Sequence, residues 1–108
     1  MSFYDLYAFE GIDIHEAKNI IELALNIKFD ERESDFQGGV YFISGNKTSE
    51  NFILKNNIDL LDKEPVEMDA PEYTIILYVN DTNRAITIKD YLLGAENFTL
   101  LRSEEFLD

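Results

Sequence analysis

Tyr73-Thr74-Ile75-Ile76-Leu77-Tyr78-Val79 is the longest run in this chain that is almost wholly apolar, β-branched or aromatic. Side chains of this type fit a pleated surface, and seven residues are too few for a buried helix, so the run predicts a strand. Pro71 bounds it on one side and Asn80-Asp81 on the other. It shows no polar alternation, so both of its faces should be covered, which makes it a central strand. Directly upstream, Asp59 to Glu72 holds six acids and one lysine in fourteen residues. The chain therefore sets an acidic segment against the entry to its most apolar strand.

At 108 residues the sequence is expected to form a single domain, residues 1–108, with one core. Hydrophobic residues make up 45%, an ordinary globular share, so the formal net charge of −13 does not signal disorder. The excess is even: 10 acids against 4 Lys/Arg in residues 1–54, and 12 against 5 in residues 55–108. No acidic tail has been added to a neutral body. A field of this sign repels phosphate backbones and attracts basic proteins, which argues against direct nucleic-acid binding. Cysteine is absent, so disulfide and thiolate chemistry are excluded. Met1-Ser2-Phe3-Tyr4-Asp5 lacks the basic and apolar regions of a signal peptide, and no apolar stretch nears the roughly 20 residues of a membrane span. The expectation is a cytoplasmic protein without a cofactor.

Taken in order, Phe3 to Phe9 reads as a first strand, ending at Glu10-Gly11. Asp13 then stands where an N-cap would, with Glu16 in the capping-box position, and Ile14, Ala17, Ile21, Ala24 and Leu25 form one apolar stripe of a helix that Asn26 closes. Ile27 to Glu33 alternates as a strand, Gly38-Gly39 turns the chain, and Val40 to Ile43 returns as a hairpin. Gly45-Asn46 supplies a second turn before Phe52-Ile53-Leu54. Asn56 to Pro71 has no regular pattern and predicts a long loop, a feature that is often functional in compact domains. After the central strand, Thr82 or Asn83 can cap a helix through Ala85, Ile88, Tyr91 and Leu92, with Gly94 placed to end it, and Phe98 to Leu101 forms the last strand before a polar end. The order β-α-β-β-β-β-α-β predicts an α+β fold: a mixed sheet of about six strands with two helices packed on one face.

Catalytic patterns are weak. The single histidine, His15, lies beside Glu16 in the first turn of the predicted helix, and no Ser, Cys or second His shares a motif with it. The spacing Asp59-x-x-Asp62-x-Glu64 lacks the glycine and terminal glutamate of a calcium loop, so no metal is assigned. Gly38-Gly39 has no phosphate-loop context. Two acidic clusters remain: Asp30, Glu31, Glu33 and Asp35, four acids in six residues, and Asp59, Asp62, Glu64, Glu67, Asp69 and Glu72. Either could be a solvated face. Each also carries apolar neighbours, above all Phe36 in its polar loop, and an apolar anchor ringed by charge is the composition of a protein-binding patch.

Arg32-Glu33-Ser34 with Gly38-Gly39-x-Tyr41-Phe42, then Ile76-Leu77-Tyr78-Val79-Asn80-x-Thr82, then Phe98-x-Leu100-Leu101-Arg102-x-Glu104 together resemble small immunity proteins of bacterial contact-dependent growth inhibition and related polymorphic toxin systems. The resemblance implies an intracellular protein, monomeric before binding, that neutralises a cognate toxin domain, commonly a basic nuclease. Contact residues differ among such families, so the expected toxin-binding set rests on charge and loop position: Asp30, Glu31, Glu33, Asp35, Phe36, Asp59, Asp62, Glu64, Glu67, Asp69 and Glu72. Two alternatives stand beside it: an acidic DNA mimic that inhibits a DNA-binding enzyme, and a small hydrolase using His15.

Overall fold

A computed structural model describes residues 1–95 and 97–107. Six strands, β1 (Ser2–Phe9), β2 (Asp30–Ser34), β3 (Gly39–Gly45), β4 (Asn51–Asn56), β5 (Ile75–Thr82) and β6 (Phe98–Phe106), form one sheet in the order β2-β3-β4-β5-β1-β6. Two helices, α1 (Ile14–Leu25) and α2 (Ala85–Gly94), complete the α+β fold.

Each pairing is antiparallel, where a mixed sheet was expected. The β-α-β units explain the difference. In each, the two strands do run the same way, but they are never neighbours. β1 inserts between β5 and β6 and pairs antiparallel with both, while β3, β4 and β5 separate β1 from β2. The hydrophobic periods that reveal a crossover say nothing of which strand fills the gap beneath it.

Local chemistry set most boundaries. The Asp13 carboxylate accepts the His15 N–H at 2.9 Å and starts α1, and Asn26 closes it in the left-handed region, φ 55°. Residues 27–29 are not strand, as alternation suggested. A Glu22 carboxylate oxygen accepts the Phe29 N–H at 2.9 Å and folds this segment back against α1, so that Phe29 joins the core. Neither Thr82 nor Asn83 caps α2: Arg84 is its N-cap residue, without a side-chain cap bond, and Thr82 Oγ1 accepts only the N–H of Arg84 itself, while Gly94 falls inside the helix, with Ala95 as its C-cap residue. β6 runs to Phe106, because its polar second half still finds backbone partners in Ser2 to Leu6.

Both helices pack on one face of the sheet. Ile14, Ala17, Ile21 and Leu25 of α1 and Ile88 and Leu92 of α2 meet Tyr7, Phe9, Phe42, Phe52, Leu54, Ile75, Leu77 and Val79 in one core. β5 is interior, flanked by β4 and β1, and Ile75, Ile76, Leu77 and Val79 are fully shielded. Ile76, Leu6 and Ala8 point away from the helices and are buried as well. The long loop of residues 57–74 covers that second face, and its own Ala70 is buried there.

Candidate functional site

Strand direction decides where the acids gather. β1, β2 and β4 end, and β3, β5 and β6 begin, at the same end of the sheet, as Ser34 opposite Gly39, Asn56 opposite Ile75 and Phe9 opposite Phe98 show. The connections 35–38, 57–74 and 10–13 therefore all emerge at one pole, and they bring both acidic clusters with them.

The clusters also touch. Gly38 has φ 80°, and a Cβ there would lie 3.0 Å from the Ile58 carbonyl oxygen and 3.2 Å from that of Asn56. A Cβ on Gly39 would stand 4.0 Å from Leu60 Cδ1. The Lys55 ammonium donates to Gln37 Oε1 at 2.8 Å across the same seam. Lys55 is buried, and burial lowers its pKa against the opposing pull of Asp59 and Glu67.

Within the first cluster, Asp30, Glu31 and Glu33 lie along β2, an edge strand, and are exposed. Register places Glu31 opposite Phe42 and Glu33 opposite Val40, on the helix side, with Asp30 on the other side. Charges on an edge strand discourage pairing with another chain, so these residues have a structural role whatever else they do. Asp35 opens a single 3₁₀ turn, Asp35–Gln37, whose Phe36 N–H is accepted by Ser34 Oγ at 3.2 Å. That turn holds the Phe36 side chain outward, 78% exposed.

In the second cluster the acids divide by role. Asp59 and Asp62 accept the N–H groups of Leu61 and Glu64, each at 2.9 Å, and the Asp59 N–H donates to the Glu64 carbonyl at 2.8 Å. These bonds close residues 59–64 into a tight turn that carries Leu61 at 70% exposure. Asn57 ties the loop's two ends together: its amide donates to the carbonyls of Ala70 and Tyr73 and its oxygen accepts the Glu67 N–H. Glu67 points to the sheet, where its two oxygens take the Tyr78 hydroxyl at 3.0 Å and Arg102 Nη1 at 2.9 Å. Glu64, Asp69 and Glu72 remain exposed; Glu72 borders a cleft of about 330 Å³ with Glu10 and Ile12.

The fold thus sets the turn that holds Asp35 and Phe36 beside the start of the loop that holds Asp59, Leu61, Asp62 and Glu64, with Glu72 on the same pole. Asp30, Glu31 and Glu33 run away from it along the edge, and Glu67 is engaged internally. Leu61 as a second anchor was not singled out from the sequence, and neither was the Tyr78–Glu67–Arg102 tie. Nothing in one sequence pairs residues 11 and 35 positions apart.

His15 is 61% exposed at the first turn of α1, with Nδ1 3.6 Å from Asp13, Nε2 4.0 Å from Glu31, and its ring edge-on to Phe42 at 5.5 Å. Among the described residues no group of three or more His, Cys, Asp or Glu converges as a metal site requires, and no helix is long and apolar enough to cross a membrane. No family model matches the chain, and no curated protein matches it.

Proposed function

We propose that this protein is an immunity-type inhibitor that captures a basic toxin domain, of nuclease type, on its acidic pole and covers that domain's active site or substrate channel. The observation that carries the reading is the seam between Gly38-Gly39 and Ile58–Leu60. It sets two acidic segments, distant in sequence, side by side, and each carries an exposed apolar side chain, Phe36 in one and Leu61 in the other. Apolar anchors that fill pockets on a partner, within a rim of charge, are the usual division of labour at a protein interface. Carboxylates at the rim steer a basic partner toward contact and occupy positions that phosphates would take in a nuclease cleft. The motif resemblance to immunity proteins supports the same reading, and in that role the protein acts in the cytoplasm of the cell it protects.

Co-expression with the variable C-terminal domain of a large secreted protein encoded beside this gene tests the proposal. Growth should be rescued, and the rescue should fail with Phe36→Ala plus Leu61→Ala. Reversing Asp35, Asp62 and Glu64 to lysine should slow association at low salt by about ten-fold or more, the size of a lost steering field. Rescue that survives both sets of changes would remove the acidic pole from the interface. Binding to many basic proteins in competition with duplex DNA, without rescue, would point to a DNA mimic instead.

A further inference from the structure

The opposite pole carries a second feature. On the loop side of the sheet, where Glu67 of the 57–74 loop closes one end, a groove of about 600 Å³ opens between Tyr4, Tyr78, Asp81, Arg102, Glu104 and Phe106. Its volume is in the range of sites that hold a ligand or a short peptide segment. Tyr4 and Phe106 form one wall, edge-to-face with ring centroids 5.2 Å apart, and both remain solvent-accessible at 39% and 50%. β6 lies at the sheet edge here, so the groove is open on its outer flank.

The charges of the groove are unbalanced. Arg102 is the cation in its lining, and its guanidinium is already matched: Nη1 meets Glu67 at 2.9 Å and Nε meets Glu104 at 3.2 Å. Counting Glu67 at the closed end, four carboxylates (Asp5, Glu67, Asp81 and Glu104) stand against one guanidinium, in a protein of net charge −13; Asp5 is buried and accepts the Ser103 hydroxyl, which leaves Asp81 and Glu104 as the accessible pair. Arg102 also shows what the groove accommodates, a planar cation held between carboxylates beside aromatic rings. A cation over a Tyr or Phe face is attracted by the ring quadrupole, and a carboxylate beside it adds a charge-assisted hydrogen bond of its own.

We infer that this groove is a docking site for a short basic segment of a partner protein, which seats an arginine or lysine side chain against Tyr4 and Phe106 with Asp81 and Glu104 as its counter-charges. The site lies at the other end of the sheet from the acidic pole and stands whether or not the partner of that pole is a toxin.

Titration of the ¹⁵N-labelled full chain with the peptide acetyl-Gly-Arg-Gly-Lys-Gly-amide, followed by NMR at low salt, tests the inference. The backbone signals of Tyr4, Asn80, Asp81, Glu104 and Phe106 should shift saturably. A peptide of equal length with citrulline and acetyl-lysine in place of the two basic residues should leave them unmoved. Phe106→Ala and Asp81→Asn should each weaken binding about five-fold, the scale of one cation–π contact or one partly exposed ion pair. Asparagine keeps the left-handed backbone that Asp81 adopts at φ 53°, and Phe106 is half exposed at a strand end, so both variants retain the fold, as the same spectra report. Asp62→Lys with Glu64→Lys at the far pole should leave the groove shifts in place. Shifts confined to residues 35 and 59–64, equal effects of the neutral peptide, or unchanged affinity in both groove variants would overturn the inference.

Discussion

Glu67 accepts the hydroxyl hydrogen of Tyr78 at 3.0 Å, so an acid from the middle of the acidic loop is anchored on the central strand that follows it. The same carboxylate holds Arg102 of β6, and the three side chains lock the loop onto the second face of the sheet. The loop is therefore a covering layer, and its acids are not equivalent. Some shape it, one fastens it and the others face solvent.

Glu67→Ala should loosen this layer. It removes two bonds to one charged acceptor; Arg102 is half exposed and can rehydrate, whereas Tyr78 is partly covered. The expected cost is about 2 kcal/mol, seen as a lower urea midpoint. Hydrogen exchange should quicken at residues 57–70 before it does in β5.

Gly38→Ala tests the seam between the acidic segments. At φ 80° an L-residue is strained, and the added carbon meets two carbonyl oxygens at 3.0 and 3.2 Å. A loss of about 1–2 kcal/mol is expected. Amide signals of residues 35–37 and 58–60 should shift together, and partner association should weaken; independent behaviour of the two segments would contradict the shared seam.

Acid should expose two particular carboxylates. Glu22 is held below its ordinary 4.5 first by the Phe29 N–H, with help from Lys18. Glu50 is held below 4.5 first by the Arg84 fork, at 2.8 and 2.7 Å, and also by the Thr82 hydroxyl at 2.7 Å. Both bind protons less readily in the folded than in the unfolded chain, so their contribution is complete above pH 4.5 and is lost as pH falls through the folded values. Protonation also relieves the self-repulsion of a chain at −13, so the raw stability curve mixes two trends. The Glu50→Gln variant separates them. Its deficit, about 1–2 kcal/mol at neutral pH, should shrink toward zero in melts at acid pH.

Tyr7→Phe should stabilise the protein. The Tyr7 hydroxyl is buried in the core with no hydrogen-bond partner among the described residues, and burial, with Asp5 and Asp90 nearby, pushes its pKa well above the ordinary value of 10.0. Removing a buried, unsatisfied donor should gain about 1 kcal/mol. A lower urea midpoint in this variant would show that the hydroxyl is satisfied in solution.

Much of the fold was legible in local chemistry. The apolar stripe from Ile14 to Leu25, the Asp13 cap, the Asn26 stop, the Gly38-Gly39 turn and the central strand each declare their structure, because periodicity, capping and positive-φ turns involve residues close in sequence, though that strand spans Ile75–Thr82 and leaves Tyr73 and Thr74 in the loop. The acidic character of the loop and the oddity of Phe36 were legible for the same reason. Pairing across the chain was not. That β1 separates β5 from β6, that Asn57 closes the loop on Ala70 and Tyr73, that Glu67 turns inward to Tyr78 and Arg102, and that Gly38-Gly39 meets Ile58 and Leu60 all depend on strand order and packing. Those contacts join residues whose separation carries no period. The sequence by itself determined the elements and the sign of the surface, while the tertiary structure decided which acids face solvent and which hold the protein together.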